Sequence, residues 1–262
     1  MLLLVDIGNS STTFGISNGK KKYFCWHCPT KTLEKKKSFQ VSQIENLKRG
    51  KINQNKISAV IICSVVPKLN RIIKKNYKDM FLNGKVFFIG NDIQIPINNK
   101  YKFPLQVGND RLVNALGVKF SYSLPAMVVD FGTAITIDII SKKGDYLGGV
   151  IVPGINLSLK ALYENTALLP LLNPRKPKAI LGKDTENSIL SGIFYGYSFL
   201  VDGLIGKLKA TFNAAPVVIA TGGNLEIMKQ LCKGIDHYSQ NLTLKGIEIA
   251  YNLTINKAKQ PK

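Results

Sequence analysis

The hydrophobic and polar positions of this chain follow a pattern that occurs twice. At the start, LLLVDIGNSST (residues 2–12) runs from four apolar residues into Asp6, a glycine and a short polar stretch. The same order returns in AMVVDFGTAIT (residues 126–136), around Asp130. A short apolar run bounded by turn-forming residues is typical of a buried strand. Each opening therefore predicts a core strand that ends in a carboxylate and a small polar loop.

The segments after each opening alternate between strand and helix patterns. TTFGIS and KKYFCWHC predict strands joined by a turn at residues 18–20, and residues 31–50 predict an amphipathic helix. The apolar positions of that helix are Phe39, Val41, Ile44 and Leu47. The remaining predicted elements are strand 57–66, helix 68–81, strand 85–90, helix 108–123, strands 127–130, 135–141 and 146–154, helices 155–165 and 186–210, strand 216–224, and helices 226–231 and 243–255.

The two openings divide the chain into similar halves. Each is followed by a second strand, a turn and a third strand, and then by alternating helices and strands. This repetition predicts a duplicated α/β unit, and therefore two domains of one topology with a cleft between them. We place the domains at residues 1–113 and 114–262. Ligands in α/β sheets bind at the carboxyl ends of strands, where Asp6, Asp130 and Gly222–Gly223 all fall, so the cleft is the predicted site.

The composition is that of a globular protein with an excess of positive charge. Of 262 residues, 45% are apolar and 20% are charged, which excludes a disordered chain, and the formal net charge is +20. Lysine runs at residues 20–22 and 35–37 point to anionic partners. However, the lysines are spread along the chain, and aromatic residues do not alternate with them as a nucleic-acid stacking surface requires. We expect no specific nucleic-acid partner, while weak, salt-sensitive binding stays open.

The four cysteines, Cys25, Cys28, Cys63 and Cys232, are too few for a disulfide framework in a chain of this length. CWHC at residues 25–28 has the spacing of a redox or zinc motif. A redox motif is expected to open a helix, whereas this stretch has a strand pattern, and a zinc site needs a second ligand pair that the sequence lacks. We interpret them as ordinary strand cysteines.

The sequence predicts no membrane segment. No apolar run approaches the roughly 18 residues that a spanning helix needs. The N-terminal LLLV is too short for the core of a secretion signal, and no basic residue precedes it. We therefore expect a cytoplasmic protein.

An aspartate at a strand end beside a glycine turn suits a site for phosphate and metal. The carboxylate can hold a hydrated Mg²⁺, while loop N–H groups and hydroxyls bind phosphate oxygens. The alternative is an aspartate that caps its own turn, but two such motifs at the openings of the two halves favour nucleotide binding. TGG at residues 221–223 fits a contact to adenosine or ribose. The chain contains no GxxxxGK[ST] and no GxGxxG that opens a helix, and no GxSxG forms an elbow between a strand and a helix.

Phosphoryl transfer also needs a base for the acceptor hydroxyl. GNDR (residues 108–111) supplies the best candidate, Asp110, with Arg111 beside it to neutralise phosphate charge. By itself GNDR is better explained by a helix N-terminus followed by a surface arginine.

Seven motifs in the same order resemble the type III pantothenate kinases. They cover nearly the whole chain, whereas DxGN or TGG alone would indicate only the superfamily of actin, heat-shock chaperones and sugar kinases. The resemblance implies an α/β fold with two ribonuclease H-like, actin-like ATPase domains. The motifs are DIGNSST (6–12), VGNDR (107–111), VDFGTAITID (129–138), GGVIVPG (148–154), TALLP (166–170), GKDTENSILSGIFYG (182–196) and TGG (221–223).

The resemblance implies ATP-dependent phosphorylation of pantothenate to 4′-phosphopantothenate, the first step of coenzyme A synthesis. Asp110 would accept the proton of the primary hydroxyl. The ATP contacts would be Asp6, Ile7, Gly8, Asn9, Ser10, Ser11, Thr12, Thr13 and Thr133. The pantothenate contacts would be Tyr101, Gly108, Asn109, Asp110, Arg111 and Thr185.

The resemblance also implies cofactors and partners. Asp130 would bind the monovalent cation, K⁺ or NH₄⁺, that the family requires, and Asp6 would hold Mg²⁺ through the phosphates. Family members are typically homodimers with pantothenate near the subunit interface.

Two positions depart from the family pattern. Asn109 replaces a small alanine and is expected to crowd the substrate wall, and Ser10 replaces threonine but keeps the hydroxyl. Two other functions stay open. The chain could be a non-catalytic regulator on the same fold, such as a transcription accessory factor, or a kinase for another small hydroxyl compound.

Overall fold

The computed structural model describes residues 1–19, 23–81 and 85–259. The lysine run at residues 20–22 and part of the turn at residues 18–20 lie outside the described residues. The strands are β1 (Leu2–Ile7), β2 (Ser11–Ser17), β3 (Phe24–Pro29), β4 (Ala59–Ser64), β5 (Lys85–Phe88), β6 (Ala126–Phe131), β7 (Ala134–Ile140), β8 (Tyr146–Pro153), β9 (Val217–Thr221) and β10 (His237–Tyr238). The helices are α1 (Lys36–Arg49), α2 (Pro67–Met80), α3 (Asn109–Lys119), α4 (Ile155–Glu164), α5 (Thr185–Lys209), α6 (Leu225–Met228) and α7 (Leu242–Lys259).

Two compact units each contain a five-stranded sheet with one strand order. The first unit (residues 1–97, 102–120 and 241–262) has the order β3-β2-β1-β4-β5. The second (residues 98–101 and 121–240) has β8-β7-β6-β9-β10, which is the same order once β6 is matched with β1. In both, the first three strands pair antiparallel and the last three pair parallel. The predicted α/β fold with duplicated ribonuclease H-like units is confirmed.

The alternation of side chains along β1 explains how a carboxylate follows a buried strand. Leu3, Val5 and Ile7 point into one core, which they share with residues of α1 and α2. Leu4 points to the other face of the sheet, into a core shared with α3 and α7. Because side chains alternate with a period of two, Asp6 follows Leu4 on that second face, and it is half-buried.

Helix α1 buries a different stripe from the one that the sequence predicts. Phe39 and Leu47 are buried, as expected, but Val41 and Ile44 are 55% and 38% exposed. Gln43 is buried in their place. The buried residues lie four positions apart and so stack on one side of the helix, whereas residues two or five positions from Phe39 turn away.

Helix α5 corrects the expectation that no segment is long and apolar enough to cross a membrane. Among the described residues it is the one helix that meets this criterion by length and composition. A core helix meets the same criterion, and Leu190, Phe194, Val201 and Ile205 are buried in the core of the second unit. Glycine, serine and tyrosine interrupt the apolar residues of α5, which is why the sequence shows no continuous run.

The two cysteines of CWHC lie on opposite sides of β3. Cys28 packs against the core under α1 and α2, and Cys25 packs against the core under α7. Burial raises the pKa of the Cys25 thiol to about 11. Two thiols on opposite faces of one strand cannot share a metal ion, so this spacing is that of ordinary strand residues.

The compact units differ from a single division of the chain after residue 113, because that division would cut α3. In the structure α3 packs against α7 along its length, and both helices belong to the first unit. The two helices lie close together, as a Cβ atom added at Gly117 on α3 would lie only 3.1 Å from Leu242 on α7. The division at residue 113 stays a proposal.

Candidate active site

The first unit places Asp6 in a row of side chains at the carboxyl end of its sheet. Asp6 pairs with Cys63 on β4 and with Thr13 on β2. Directly paired residues project from the same face of a sheet, so the three side chains are neighbours. The predicted phosphate loop begins immediately after this row.

Hydrogen bonds from Thr30 fix the loop after β1, and the sequence did not reveal this residue. The Thr30 N–H donates to the carbonyl of Ser10 (3.0 Å), and its hydroxyl donates to the carbonyl of Gly8 (2.7 Å). The buried Thr12 hydroxyl lies 3.0 Å from that of Thr30. A threonine at a strand end carries no distinctive sequence signal. Thr30 therefore fixes the shape of the loop without being recognisable from the sequence.

The eight residues predicted to contact ATP have two different roles in this loop. Ile7 and Thr12 are fully buried, so they support the loop and do not face a ligand. Asn9, Ser10 and Ser11 are exposed. The Gly8 N–H donates to the Ser11 carbonyl (3.1 Å), which closes a tight turn. Exposed hydroxyl and amide groups around a tight turn are typical of a phosphate-binding loop.

Asp110 lies in the first turn of α3, which begins directly after Gly108. One carboxylate oxygen of Asp110 accepts the backbone N–H of Arg111 at 2.8 Å, and it lies so close to Gly108 that a side chain there would clash. Arg111 itself is only 9% exposed. The glycine of GNDR thus allows the carboxylate to fold over the helix N-terminus, where the helix dipole favours negative charge.

Asp6 and Asp110 lie at the same end of the first sheet. Asp6 is paired with Cys63 on β4, and a Cβ atom at Gly108 would clash with the Asp110 carboxylate and lie 3.7 Å from Val65, which directly follows β4. The pKa of Cys63 is raised well above its usual value, first by complete burial and then by the negative charges of Asp6 and Asp110. Both carboxylates are therefore within electrostatic range of one sulfur atom in the first unit. The structure thus combines the predicted phosphate-binding and proton-accepting residues at one end of one sheet.

The side chain of Asn109 is bound to the segment that follows β5. Its side-chain amide donates to the carbonyl of Ile89 at 3.2 Å, and the side chain packs against Gly90. Gly90 has a φ of +87°, a conformation that favours glycine. Asn109 thus ties the start of α3 to the end of β5.

The second unit places Asp130 at the position that corresponds to Asp6. Asp130 pairs with Thr136 on β7 and with Thr221 on β9. Gly222 has a φ of +106°, and a Cβ atom there would lie 2.5 Å from an Asp130 carboxylate oxygen. A Cβ atom at Gly223 would contact nothing within 4 Å. The first glycine of TGG therefore makes room for Asp130, and the second leaves open space beside it.

The surroundings of Asp130 fit a monovalent cation better than a transition metal. Among the described residues, no group of three or more His, Cys, Asp or Glu side chains could hold a metal ion. The neighbours of Asp130 in register are the hydroxyls of Thr136 and Thr221, which are hard oxygen donors. Thr133 is exposed, and its carbonyl accepts the N–H of Gly154 (3.0 Å), which fixes the loop after β6.

Tyr101 is positioned by the start of β8. Its ring lies 3.3–3.4 Å from where a Cβ atom of Gly148 would be, and its centroid is 6.4 Å from that of Tyr146. The Tyr146 hydroxyl donates to the buried carboxylate of Asp138 at 2.7 Å. Asp138 was not recognised from the sequence, although its place inside an otherwise apolar strand was a signal. Through Tyr146 it supports the side chain against which Tyr101 packs.

Thr185 is exposed at the first position of α5. Asp184 caps this helix by accepting the N–H of Asn187 at 2.8 Å. That hydrogen bond lowers the pKa of the Asp184 carboxyl. Thr185 is thus presented by a well-defined helix start.

Solved structures share the fold. A Campylobacter jejuni protein assigned to the Baf family of transcriptional activators has a TM-score of 0.54 and 20% identity, over 97% of this chain and 99% of its own. A Sinorhizobium meliloti protein assigned as a 2-dehydro-3-deoxygalactonokinase has a TM-score of 0.55 and 12% identity, over 100% and 98%. At these identities the likeness shows the fold alone.

Sequence comparison goes further. Residues 2–207 match the family model of the type III pantothenate kinases. Type III pantothenate kinase from Syntrophus aciditrophicus is 36% identical over 96% of this chain and 98% of its own length. The enzyme of that name from Halalkalibacterium halodurans is 36% identical over 97% and 100%. With the two aspartate loops and the GNDR helix in place, this match establishes that the chain belongs to the type III pantothenate kinase family.

Proposed function

We propose that this protein transfers the γ-phosphoryl group of ATP to the primary hydroxyl of pantothenate with Asp110 as the proton acceptor. Family membership assigns the reaction, ATP-dependent formation of 4′-phosphopantothenate in coenzyme A synthesis. The observation that supports the residue assignment is that Asp6 and Asp110 lie at the same end of the first sheet, beside Cys63 and Val65. A carboxylate beside a phosphate loop can take the hydroxyl proton as the new bond to phosphorus forms.

The residues of the first unit would handle the phosphates and the acceptor. The loop from Asp6 to Thr13 would bind the phosphate oxygens, and Asp6 would hold Mg²⁺ through them. Arg111 would neutralise negative charge in the transition state. Gly108, Asn109 and Arg111, together with Asp110, would line the pantothenate site. Asn109 would do so through its backbone, because its side chain is bound to Ile89.

The residues of the second unit would hold the cation and complete the two binding sites. Asp130 would bind K⁺ or NH₄⁺, which supplies positive charge against the phosphates when bound. Thr133 would contact ATP, and Tyr101 and Thr185 would contact pantothenate.

We also propose that the protein is a soluble, cytoplasmic homodimer that uses neither a membrane nor a specific nucleic acid. The segment between α4 and α5 supports the dimer, because Leu168, Leu171, Ile180 and Leu181 are 60–91% exposed. Phe199 on α5 is 63% exposed as well. Large exposed apolar side chains close together mark an interaction surface. Thr185 follows this segment directly, which suits a substrate site near a subunit interface, and sedimentation of the purified protein tests the dimer.

Steady-state assays with ATP and a panel of hydroxylated substrates test the function. We expect turnover with pantothenate, dependence on K⁺ or NH₄⁺, and little turnover with sugars or other hydroxy acids. Turnover with another compound alone would indicate a different kinase. ATP binding without turnover of any compound would favour a regulator.

A further inference from the structure

The row of side chains that contains Asp6 extends one strand further, to His27. Thr13 pairs with Asp6 on β1 and with His27 on β3. The Nδ1 atom of His27 lies 3.0 Å from the Thr13 hydroxyl oxygen. His27 is thus the outermost member of a row that runs Cys63, Asp6, Thr13, His27 across four adjacent strands. Neither the motifs nor the family resemblance gave His27 a role.

The neighbouring row on the same face shows that the polar row is a local feature. Two positions back along β1, the row consists of Ile61, Leu4, Gly15 and Cys25. That row is covered by α7, since a Cβ atom at Gly15 would lie 2.6 Å from Leu244. The sheet face thus changes from apolar to polar between these two rows, at the end where the phosphate loop begins.

The corresponding row of the second unit lacks the imidazole. Thr136 matches Thr13, and its partner on β8 is Ile151, which is 59% exposed. The Thr136 hydroxyl donates instead to a carboxylate oxygen of Asp138 at 3.1 Å. The position that corresponds to Asp138 in the first unit is Gly15, which has no acceptor group. Thr13 therefore lies beside an imidazole, which can donate a hydrogen bond, whereas Thr136 lies beside a carboxylate, which accepts one.

The polarity of the hydrogen bond at Thr13 decides what its hydroxyl can do. Desolvation lowers the pKa of His27, so at neutral pH the ring is neutral and one of its two nitrogens carries the proton. If Nδ1 carries it, the ring donates to the Thr13 oxygen. The Thr13 hydroxyl then keeps its own proton to donate elsewhere. In the second unit the hydroxyl proton of Thr136 is already donated to Asp138.

We propose that His27 is a positioning residue for nucleotide binding, in which Nδ1–H donates to the Thr13 hydroxyl and directs the Thr13 O–H proton to a phosphate oxygen of ATP. This inference rests on the proposed function, because it requires ATP phosphates at the loop after β1. His27 itself does not contact the nucleotide in this arrangement. It acts only through Thr13.

A double-mutant cycle on the full-length protein tests the inference. The variants are His27→Leu, Thr13→Val and the double variant, and the measurement is calorimetric binding of a non-hydrolysable ATP analogue with Mg²⁺ and K⁺. Since one hydrogen bond contributes about 0.5–1.5 kcal/mol, each single variant should bind the analogue roughly three- to tenfold more weakly. The double variant should bind no more weakly than Thr13→Val, because His27 has no other route to the phosphate.

Two further variants separate positioning from packing. His27→Asn places an amide N–H near the position of Nδ1 and should restore affinity to within about twofold of the wild type. His237→Asn changes the other histidine of the chain, which lies on β10 of the second unit, and should leave affinity unchanged. The inference is contradicted if the two single losses multiply in the double variant, or if His27→Leu binds like the wild type.

Imidazole nitrogen NMR tests the inference on the wild-type protein, so its result does not depend on whether a variant folds. With only two histidines in the chain, the spectrum contains two rings to assign. We expect the proton of His27 on Nδ1 when the analogue is bound, and a proton on Nε2 alone contradicts the inference. If the wild-type protein binds no nucleotide at all, the proposed function fails. If it binds the analogue and phosphorylates pantothenate while His27→Leu has no effect, only the role of His27 fails.

Discussion

The two units share one sheet topology but support their key aspartates in different ways. In the first unit the loop after Asp6 is fixed by side-chain hydrogen bonds from Thr30. In the second unit the space around Asp130 is made by glycine, above all Gly222 with its φ of +106°. In this loop Asn9, Ser10 and Ser11 stay exposed, which suits an anion. A carboxylate surrounded by glycine and hydroxyl groups suits a cation.

The two units also differ in net charge. Basic residues outnumber acidic ones by 24 to 7 in the first unit and by 12 to 9 in the second. Most of the net charge of +20 therefore belongs to the unit with the proposed phosphate loop. The two units thus share one order of strands, while the side chains at matching positions and the net charges differ.

The largest effect is expected from Asp110→Asn in the first unit. Removing a general base typically costs about 10²–10⁴-fold in rate, so turnover should fall by that factor. Nucleotide affinity should change little, because Asp110 is proposed to act on the acceptor hydroxyl. Steady-state kinetics and calorimetry with an ATP analogue measure the two quantities. Near-normal turnover would show that Asp110 is not the proton acceptor.

The matching change in the second unit, Asp130→Asn, should have a different signature. Loss of the carboxylate should raise the K⁺ concentration needed for half-maximal turnover by at least about tenfold. Asp6→Asn is the matched control, and it should weaken the response to Mg²⁺ without this shift in K⁺. An equal K⁺ shift in both variants would remove the distinction between the units.

Gly222→Ala tests the space around Asp130. A non-glycine residue at this φ costs about 1–3 kcal/mol in the free energy of unfolding, and the new Cβ atom would also press on the carboxylate. Gly223→Ala is the control, because its Cβ atom meets open space. It should stay within about 0.5 kcal/mol of the wild type. Chemical denaturation of the two variants measures the difference, and equal stabilities would contradict the role of Gly222.

A smaller effect is expected from Thr30→Val, which keeps the side-chain shape. The variant loses the hydroxyl bonds to Gly8 and Thr12, and each contributes about 0.5–1.5 kcal/mol. Stability should fall by about that amount, and the affinity for ATP should fall with it as the loop loosens. Thr32→Val nearby removes an exposed hydroxyl bond to Pro29 and should leave ATP affinity unchanged. Equal ATP affinity in both variants would show that Thr30 does not shape the loop.

Much of this architecture could be predicted from the sequence because its signals are local. The repeated strand-aspartate-glycine pattern gave the duplicated fold, and GNDR gave the helix start with Asp110. Thr30 and His27 could not be found, because their partners lie 14 to 22 residues away and depend on strand register, whereas Asp138 carried a signal that was overlooked. The hydrogen bond from Asn109 to Ile89 spans 20 residues and could not be predicted from the sequence either.

The most direct test is product analysis by mass spectrometry on the wild-type protein with ATP, pantothenate, Mg²⁺ and K⁺. We predict one molecule of 4′-phosphopantothenate for each ADP formed, and none of either when pantothenate is left out. ADP without the phosphorylated product, or no reaction at all, would contradict the assignment of this chain as a working pantothenate kinase.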